Sequence, residues 1–415
     1  MPPRAQTKDG VFYGWIIVAA LLMMTVIIMG MRFSFGVFFK AIEGEFGLSR
    51  TATSAIFSTQ MALGCVFPLI FGWVTDRYGP KLTMALMGFF TGLGLLLTSQ
   101  SSMFWQLFVT YSLLMSVGTA MFTVVSATVT RWFFKRRTLA LGLTLSGAGF
   151  GQMLMVPFAA LLIAGLTWRP SFLVLGLLTW GIILPLTLLL KKEPRDIGAV
   201  PYGAELPRAG EHSGMAPPPT AAGSPLGLFR TRNFWLFVFT TFLYASSIFL
   251  IITHLVPHAT DLGISTAAAA TVMSVIGFAA IFGRIFIGVV ADRLGKQRSV
   301  AVSLILQTLV LLWLVNVHDL WQFYLFAVIF GLAQGGFSPV VSSLFGDAFG
   351  LERIGVMIGL VDIGFSLGAA SGPVIGGMIF DATGSYSGAF MFGAGAALLG
   401  AVFISAVKSK ARPPL

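Results

Sequence analysis

"GWVTDRYGPK", residues 72–81, returns 216 residues later as "GVVADRLGKQR", residues 288–298. Gly72 corresponds to Gly288, Asp76 to Asp292, Arg77 to Arg293 and Gly79 to Gly295. Each copy closes a long apolar run. A second set repeats at an interval of 217: Gly142, Gly147 and Gly151 of "LGLTLSGAGFG" correspond to Gly359, Gly364 and Gly368. Two unrelated motifs at nearly one interval imply a duplicated unit. Duplicated helical units around a central cavity are a common plan of secondary transporters.

The composition fits that plan and excludes a soluble one. Of 415 residues, 56% are hydrophobic and 10% charged, with a mean hydropathy of +0.90. A soluble chain carries about a quarter charged residues, so lipid is the expected solvent. The single cysteine, Cys65, lies in an apolar run, permits no intrachain disulfide and is read as a packing residue. No His/Cys cluster suggests a metal, no cofactor is expected, and no convergent His/Asp/Glu group suggests an enzyme.

Apolar runs long enough to cross about 30 Å as helices occur at 13–38, 51–74, 81–99, 104–130, 138–164, 170–190, 233–257, 265–291, 298–317, 321–345, 354–379 and 385–407. The first is read as a span, not a cleaved signal peptide, because no small-residue cleavage site follows it before "KAIEGEFGLSR" (40–50). The expected fold is an all-α polytopic membrane protein with twelve transmembrane helices in two pseudo-symmetric six-helix bundles. Residues 1–190 form the N-terminal bundle, 191–227 a cytoplasmic linker and 228–415 the C-terminal bundle. The linker is rich in Pro, Gly and charge and is expected to be flexible.

With both termini cytoplasmic, the inner segments hold 21 of the 26 Lys and Arg residues, and the outer loops hold Lys40, Arg50 and Arg169. That asymmetry fixes the orientation. It assigns the net charge of +11 to topology and anionic lipid, with no nucleic acid as partner. A multi-pass cell-membrane protein is expected, in a bacterial inner membrane and as a monomer. Arg32 and Arg284 remain, both inside spans.

The G-x-x-x-D-R-x-G loop after the second span and again after the eighth resembles the signature of the major facilitator superfamily. "RWFFKRRTLALGLTLSGAGFG" (131–151) is similar to the fifth-span signature of its monocarboxylate transporter branch and of the bacterial oxalate/formate-type relatives. "DGVFYGW" (9–15) is a looser match to the first-span motif. The resemblance implies a carrier working by alternating access, with the Asp76/Arg77 and Asp292/Arg293 loops as gating latches. It also implies that Arg284 binds the substrate carboxylate. Animal members carry an aspartate four residues before that arginine, linked to proton coupling, where this chain has Ala280.

The residues themselves say the following. Arg284 lies eight positions before Asp292, about 12 Å into the span. A guanidinium at that depth costs at least about 2.5 kcal/mol facing lipid. It therefore faces the interior, as a fork for a carboxylate or as a tie to helix carbonyls. Asp362, nine residues after Arg353, is expected at similar depth, either paired with Arg284 or carrying the coupled proton. Arg32 either snorkels outward or draws anions inward. Ser112, Ser116, Thr119 and Thr123 share one face of the fourth span, and Gln334, Ser338 and Ser342 one face of the tenth. Either stripe lines the cavity or bonds helix carbonyls. His254, His258 and Asp261 at the outer end of the seventh span are solvated or relay protons. The glycines at 146–151 are not a nucleotide loop, since no strand precedes them. Close packing of the fifth helix across the seam between the halves is expected instead.

The function expected is transport of a small monocarboxylate, such as lactate or pyruvate, by proton symport. The substrate side chains would be Arg284, Ser116, Thr119, Thr123, Gln334 and Ser338, and the proton groups Asp362, His254 and Asp261. The alternatives are a carboxylate exchanger of the oxalate/formate type and, more remotely, an anion channel or membrane sensor.

Overall fold

The computed structural model describes residues 12–203, 231–337, 340–341, 343–345 and 354–407. The side chains of Asp292 and of residues 354–360 lie outside that description. Every expected span coincides with a helix. Among the described residues, ten helices are long and apolar enough to cross a membrane, and an eleventh is a pair, Arg50–Cys65 and Phe67–Tyr78, bent by 47°. The twelfth position is the shorter apolar helix Leu320–Gly335, whose continuation runs into residues not described.

The duplication extends well beyond the two motifs. Ser49 and Ser265, 216 residues apart, are both N-caps, accepting from the Ala52 and Ala268 amides at 3.2 and 3.3 Å. Gly79 and Gly295 end the same two spans at φ of 89° and 87°, a region that only glycine enters without strain. Their amides reach back to Thr75 and Ala291, each at 3.0 Å. Gln106 and Gln322 both turn their side chains back onto the amides that open their helices. Pro157 and Pro373 interrupt the fifth and eleventh spans at equivalent places.

Gly147, Gly151 and Gly368 are close-packing points, and their partners correct the expectation of a seam between halves. A Cβ on Gly151 would lie 2.5 Å from the Val26 carbonyl oxygen, and one on Gly147 would lie 2.8 Å from that of Leu22. The fifth span thus packs on the first. In the second copy, a Cβ on Gly368 would lie 2.1 Å from the Phe242 oxygen, so the eleventh span packs on the seventh in the same way.

Two compact units emerge. One contains the described parts of Met1–Ser34 and Val66–Pro218, and the other those of Phe35–Cys65 and Pro219–Leu415. Residues 35–65 therefore pack with the second half of the chain, although the sequence repeat assigns them to the first. The chain passes between units where its helices are irregular. The first span breaks at Ser34 into Tyr13–Phe33 and Phe35–Phe46, and the second bends at Leu63–Cys65. The first span also runs on to Phe46, eight residues beyond the expected limit, so that Lys40 and Glu43 are helical.

The linker needs a second correction. Its beginning is fastened. The Tyr202 amide donates to the Trp132 carbonyl at 2.8 Å, and the Tyr202 carbonyl accepts from Phe134 and Lys135 at 3.1 and 2.9 Å. The Tyr202 ring joins Phe12, Trp15 and Phe133 in an aromatic cluster. Phe12 and Tyr13 of the first family-like stretch meet Trp132 and Phe133 of the second here. Composition alone missed it because one aromatic among prolines and glycines carries no periodicity. The rest of the linker, from residue 204, lies outside the described residues.

Candidate functional site

Arg284 stands on the eighth helix, Thr266–Leu294, half-buried and close enough to Tyr244 of the seventh to interact electrostatically. Tyr244 is 5% exposed. Its hydroxyl donates to the main-chain oxygen of Gln334 at 3.0 Å, and its ring stacks on Phe337. The Gln334 carbonyl thereby fixes Tyr244 beside the eighth helix. Ser338 and Ser342 lie outside the described residues.

The eighth and tenth helices can approach because the tenth carries Gly331 and Gly335. A Cβ on Gly335 would fall 2.1 Å from the Ala280 oxygen. Ala280 is 6% exposed. The position that carries a carboxylate in the resembling branch is thus a close helix contact here.

Asp362 is exposed on the eleventh helix, two residues before the close-packed Gly364. The expected pairing with Arg284 is not found: among the described residues no ion pair joins them.

The fourth-span stripe is largely spent on its own backbone. Ser112 and Ser116 are fully buried, and the Ser116 and Thr119 hydroxyls donate to the carbonyls of Leu113 and Ser116 at 2.5 and 2.6 Å. The span is irregular, with a π-helical turn at Phe108–Leu113 and a 3₁₀ turn at Val117–Ala120, which spoils the single face drawn for an ideal helix. Thr123 is half-buried and near Gly72. Arg32, in the last turn of Tyr13–Phe33, interacts electrostatically with the buried Tyr111 of the fourth span.

At the first Asp-Arg loop, the Asp76 carboxylate lies 2.5 Å from Nη2 of Arg131, within one unit. Arg77 packs against Trp73 and Tyr78, and its carbonyl accepts from Lys192. At the second loop Arg293 is exposed in the last helical turn, and the Asp292 side chain lies outside the described residues.

A cluster of polar side chains gathers at the C-terminal end of the seventh helix, Arg232–Asp261. His254 is fully buried. Its Nε2 lies 2.8 Å from the Pro373 carbonyl, which can only accept, so Nε2 carries the hydrogen. Its Nδ1 then accepts from the Tyr386 hydroxyl at 3.1 Å. The neutral Tyr386 phenol is a hydrogen-bond donor here. Asp261 ends the seventh helix, 2.6 Å from Lys40 and 3.1 Å from Arg50. Arg50, placed in a loop by its sequence, is 7% exposed. Arg50, Tyr244, Asp381 and Tyr386, which sequence reasoning did not single out, make polar contacts around these candidate residues. The available signal for Arg50 was Ser49 directly before it, a helix N-cap that converts the supposed loop end into a first helical turn.

Comparison with known proteins agrees with this architecture. Residues 21–315 and 259–415 match the family model described as Major Facilitator Superfamily. Monocarboxylate transporter 11 of Homo sapiens is 29% identical over 420 residues, covering 97% of this chain and 84% of that protein. Monocarboxylate transporter 13 of Bos taurus is 28% identical over 411 residues, covering 96% and 90%. Among solved structures, a bacterial homologue of the human lysosomal transporter Spinster superposes with a TM-score of 0.72 at 16% identity, over 95% of each chain. A D-xylose–proton symporter superposes at 0.71 and 13% identity, over 95% of this chain and 98% of that one. These two likenesses concern the fold alone. The chain is a multi-pass helical membrane protein that belongs to the major facilitator superfamily, a transporter related to that family's monocarboxylate transporters.

Proposed function

We propose that the protein carries small monocarboxylates of the lactate or pyruvate type across a cell membrane, with Arg284 as the carboxylate receptor. The observation that carries this reading is a permanent cation held within a membrane helix beside a buried tyrosine, in a chain whose relatives are named monocarboxylate transporters. The planar guanidinium can give a carboxylate two parallel hydrogen bonds, which an ammonium cannot. Both chain termini face the cytoplasm in this reading, as the distribution of Lys and Arg implies.

Transport is coupled to protons, and Asp362 carries the proton. Ala280 removes the carboxylate of the resembling branch, whereas Asp362 offers an exposed one inside a span. A substrate anion arriving nearby adds negative charge and favours the protonated acid. Substrate and proton then load together without an ion pair between Asp362 and Arg284. Uptake of labelled lactate into proteoliposomes, with and without an inward proton gradient, tests the reading. Accumulation driven by the gradient supports symport. Counterflow without a response to the gradient indicates an exchanger, and current carried by lactate indicates a channel.

A further inference from the structure

We propose that the start of the ninth helix, Lys296–Leu314, and the end of the twelfth, Ser387–Ser405, form a binding site for an anionic phospholipid, with Arg298 on the phosphate and an acyl chain lying between the two helices. A groove of about 450 Å³ opens there, lined by Leu294, Gln297, Arg298, Ala301, Val302 and Ser405. That volume is in the range of small-molecule sites. The lining sets one cation and two polar side chains beside apolar ones, and all six residues belong to one compact unit.

The mouth of the groove is built for an anion. Arg298 is exposed, and among the described residues no carboxylate pairs with it. The fold does not require this cation. The position 216 residues earlier is Leu82, exposed near the start of the third helix, Pro80–Ser99. Gln297 then removes a source of repulsion. The carbonyls at a helix C-terminus carry partial negative charge and would oppose a phosphate. Here the Gln297 side-chain nitrogen donates to the carbonyls of Ile404, Ser405 and Val407 at 2.8, 3.0 and 2.8 Å. It takes up these acceptors and fixes the two helix ends against each other. The ninth helix adds its positive end, because Gly295 at its N-cap has no side chain to accept from the first amides.

Beyond the mouth the surface is apolar. Arg298, Val302, Ile305 and Leu309 follow at spacings of four, three and four, so they share one face of the ninth helix. The last three are 45%, 44% and 59% exposed. From Arg298 to Leu309 the helix rises about 16 Å, roughly one leaflet of hydrocarbon. On the twelfth helix, Ser405, Val402 and Leu398 repeat the pattern in the opposite chain direction. Gly395, one turn further, leaves open space where a side chain would stand. A phosphate at Arg298 and a chain along Val302, Ile305 and Leu309 therefore match the length of one lipid. A soluble anion would use the cation and leave the apolar face uncovered, whereas a phospholipid uses both. In the proposed orientation the mouth opens at the inner leaflet, whose anionic lipids attract basic groups.

Lipid titration of the detergent-purified full-length chain, read by native mass spectrometry, tests this. The probes are phosphatidylglycerol and phosphatidylcholine with the same acyl chains. The first phosphatidylglycerol should bind at least about fivefold more tightly than the first phosphatidylcholine, which corresponds to about 1 kcal/mol, the effect of one cation near a headgroup. Arg298→Gln should erase that preference. Ala301→Trp, which fills the groove and keeps the charge, should weaken phosphatidylglycerol by a similar factor. Arg137→Gln removes one charge from an exposed position at the start of the fifth helix and should leave the preference intact. Glycerol phosphate at the same concentration as the lipid should not displace it. Equal binding of the two lipids by the wild type, or equal losses in Arg298→Gln and Arg137→Gln, overturns the proposal. Displacement by glycerol phosphate overturns it as well, in favour of a soluble phosphate ester. If Arg298→Gln is not monodisperse in gel filtration, Ala301→Trp decides, and unchanged phosphatidylglycerol binding by that variant rejects the groove. Lipid binding is read without transport, so a wrong substrate assignment leaves the result interpretable.

Discussion

The Tyr244 hydroxyl lies 3.0 Å from the main-chain oxygen of Gln334, and through this bond the tenth helix fixes the tyrosine that stands beside Arg284. Removing the hydroxyl leaves the ring stack on Phe337 intact but frees the phenyl ring from its anchor. Tyr244→Phe is expected to raise the KM for lactate roughly fivefold, the effect of losing about 1 kcal/mol of hydrogen bonding. Protein stability should fall by about 1 kcal/mol as well, because the lost bond is intramolecular. Initial-rate uptake in proteoliposomes measures this, and an unchanged KM would remove Tyr244 from the site.

The glycine seams give a stability prediction. Gly151→Ala and Gly368→Ala each place a methyl group against a backbone oxygen of the neighbouring helix, at 2.5 and 2.1 Å respectively. Overpacking of this kind costs about 1–3 kcal/mol. Gly142→Ala, whose surroundings are open, is the control and should be neutral. Melting temperatures in detergent should fall for the first two variants and not for the third.

The linker divides into an anchored and a replaceable part. Tyr202→Ala removes ring contacts to Phe12, Trp15 and Phe133 and should destabilise the protein by about 1–2 kcal/mol. Replacing residues 204–222 by a Gly/Ser stretch of equal length should leave lactate affinity unchanged. Thermal unfolding and a binding titration on the two variants separate these effects.

The duplicated elements were legible in the sequence because duplication preserves local chemistry. Ser49 and Ser265, Gly79 and Gly295, and Gly147 and Gly364 each keep the same backbone task in both copies. Arg284 was legible because a cation in an apolar run has few explanations. The Arg50 group was not. Its members come from positions 40 to 386, and the dense charge at 40–50 reads as a loop when each residue is considered alone. Burial of Arg50 is a property of the partners that surround it.

Asp362→Asn mimics the protonated acid and tests the coupling. It should still exchange lactate across the membrane but should lose accumulation driven by a proton gradient. Both are measured in one reconstituted preparation. Retained accumulation would move the proton to Asp261 or His254. Loss of exchange as well would make Asp362 a structural residue.

The central claim is that the Arg284 guanidinium receives the carboxylate, and Arg284→Lys examines it with the charge preserved. Lactate uptake by this variant is compared with wild type in proteoliposomes of equal protein content, after gel filtration establishes that both are folded. The account predicts that uptake efficiency falls by at least about tenfold, since the bidentate fork is lost and ~1.4 kcal/mol corresponds to one decade. Uptake with wild-type KM and maximal rate would contradict it.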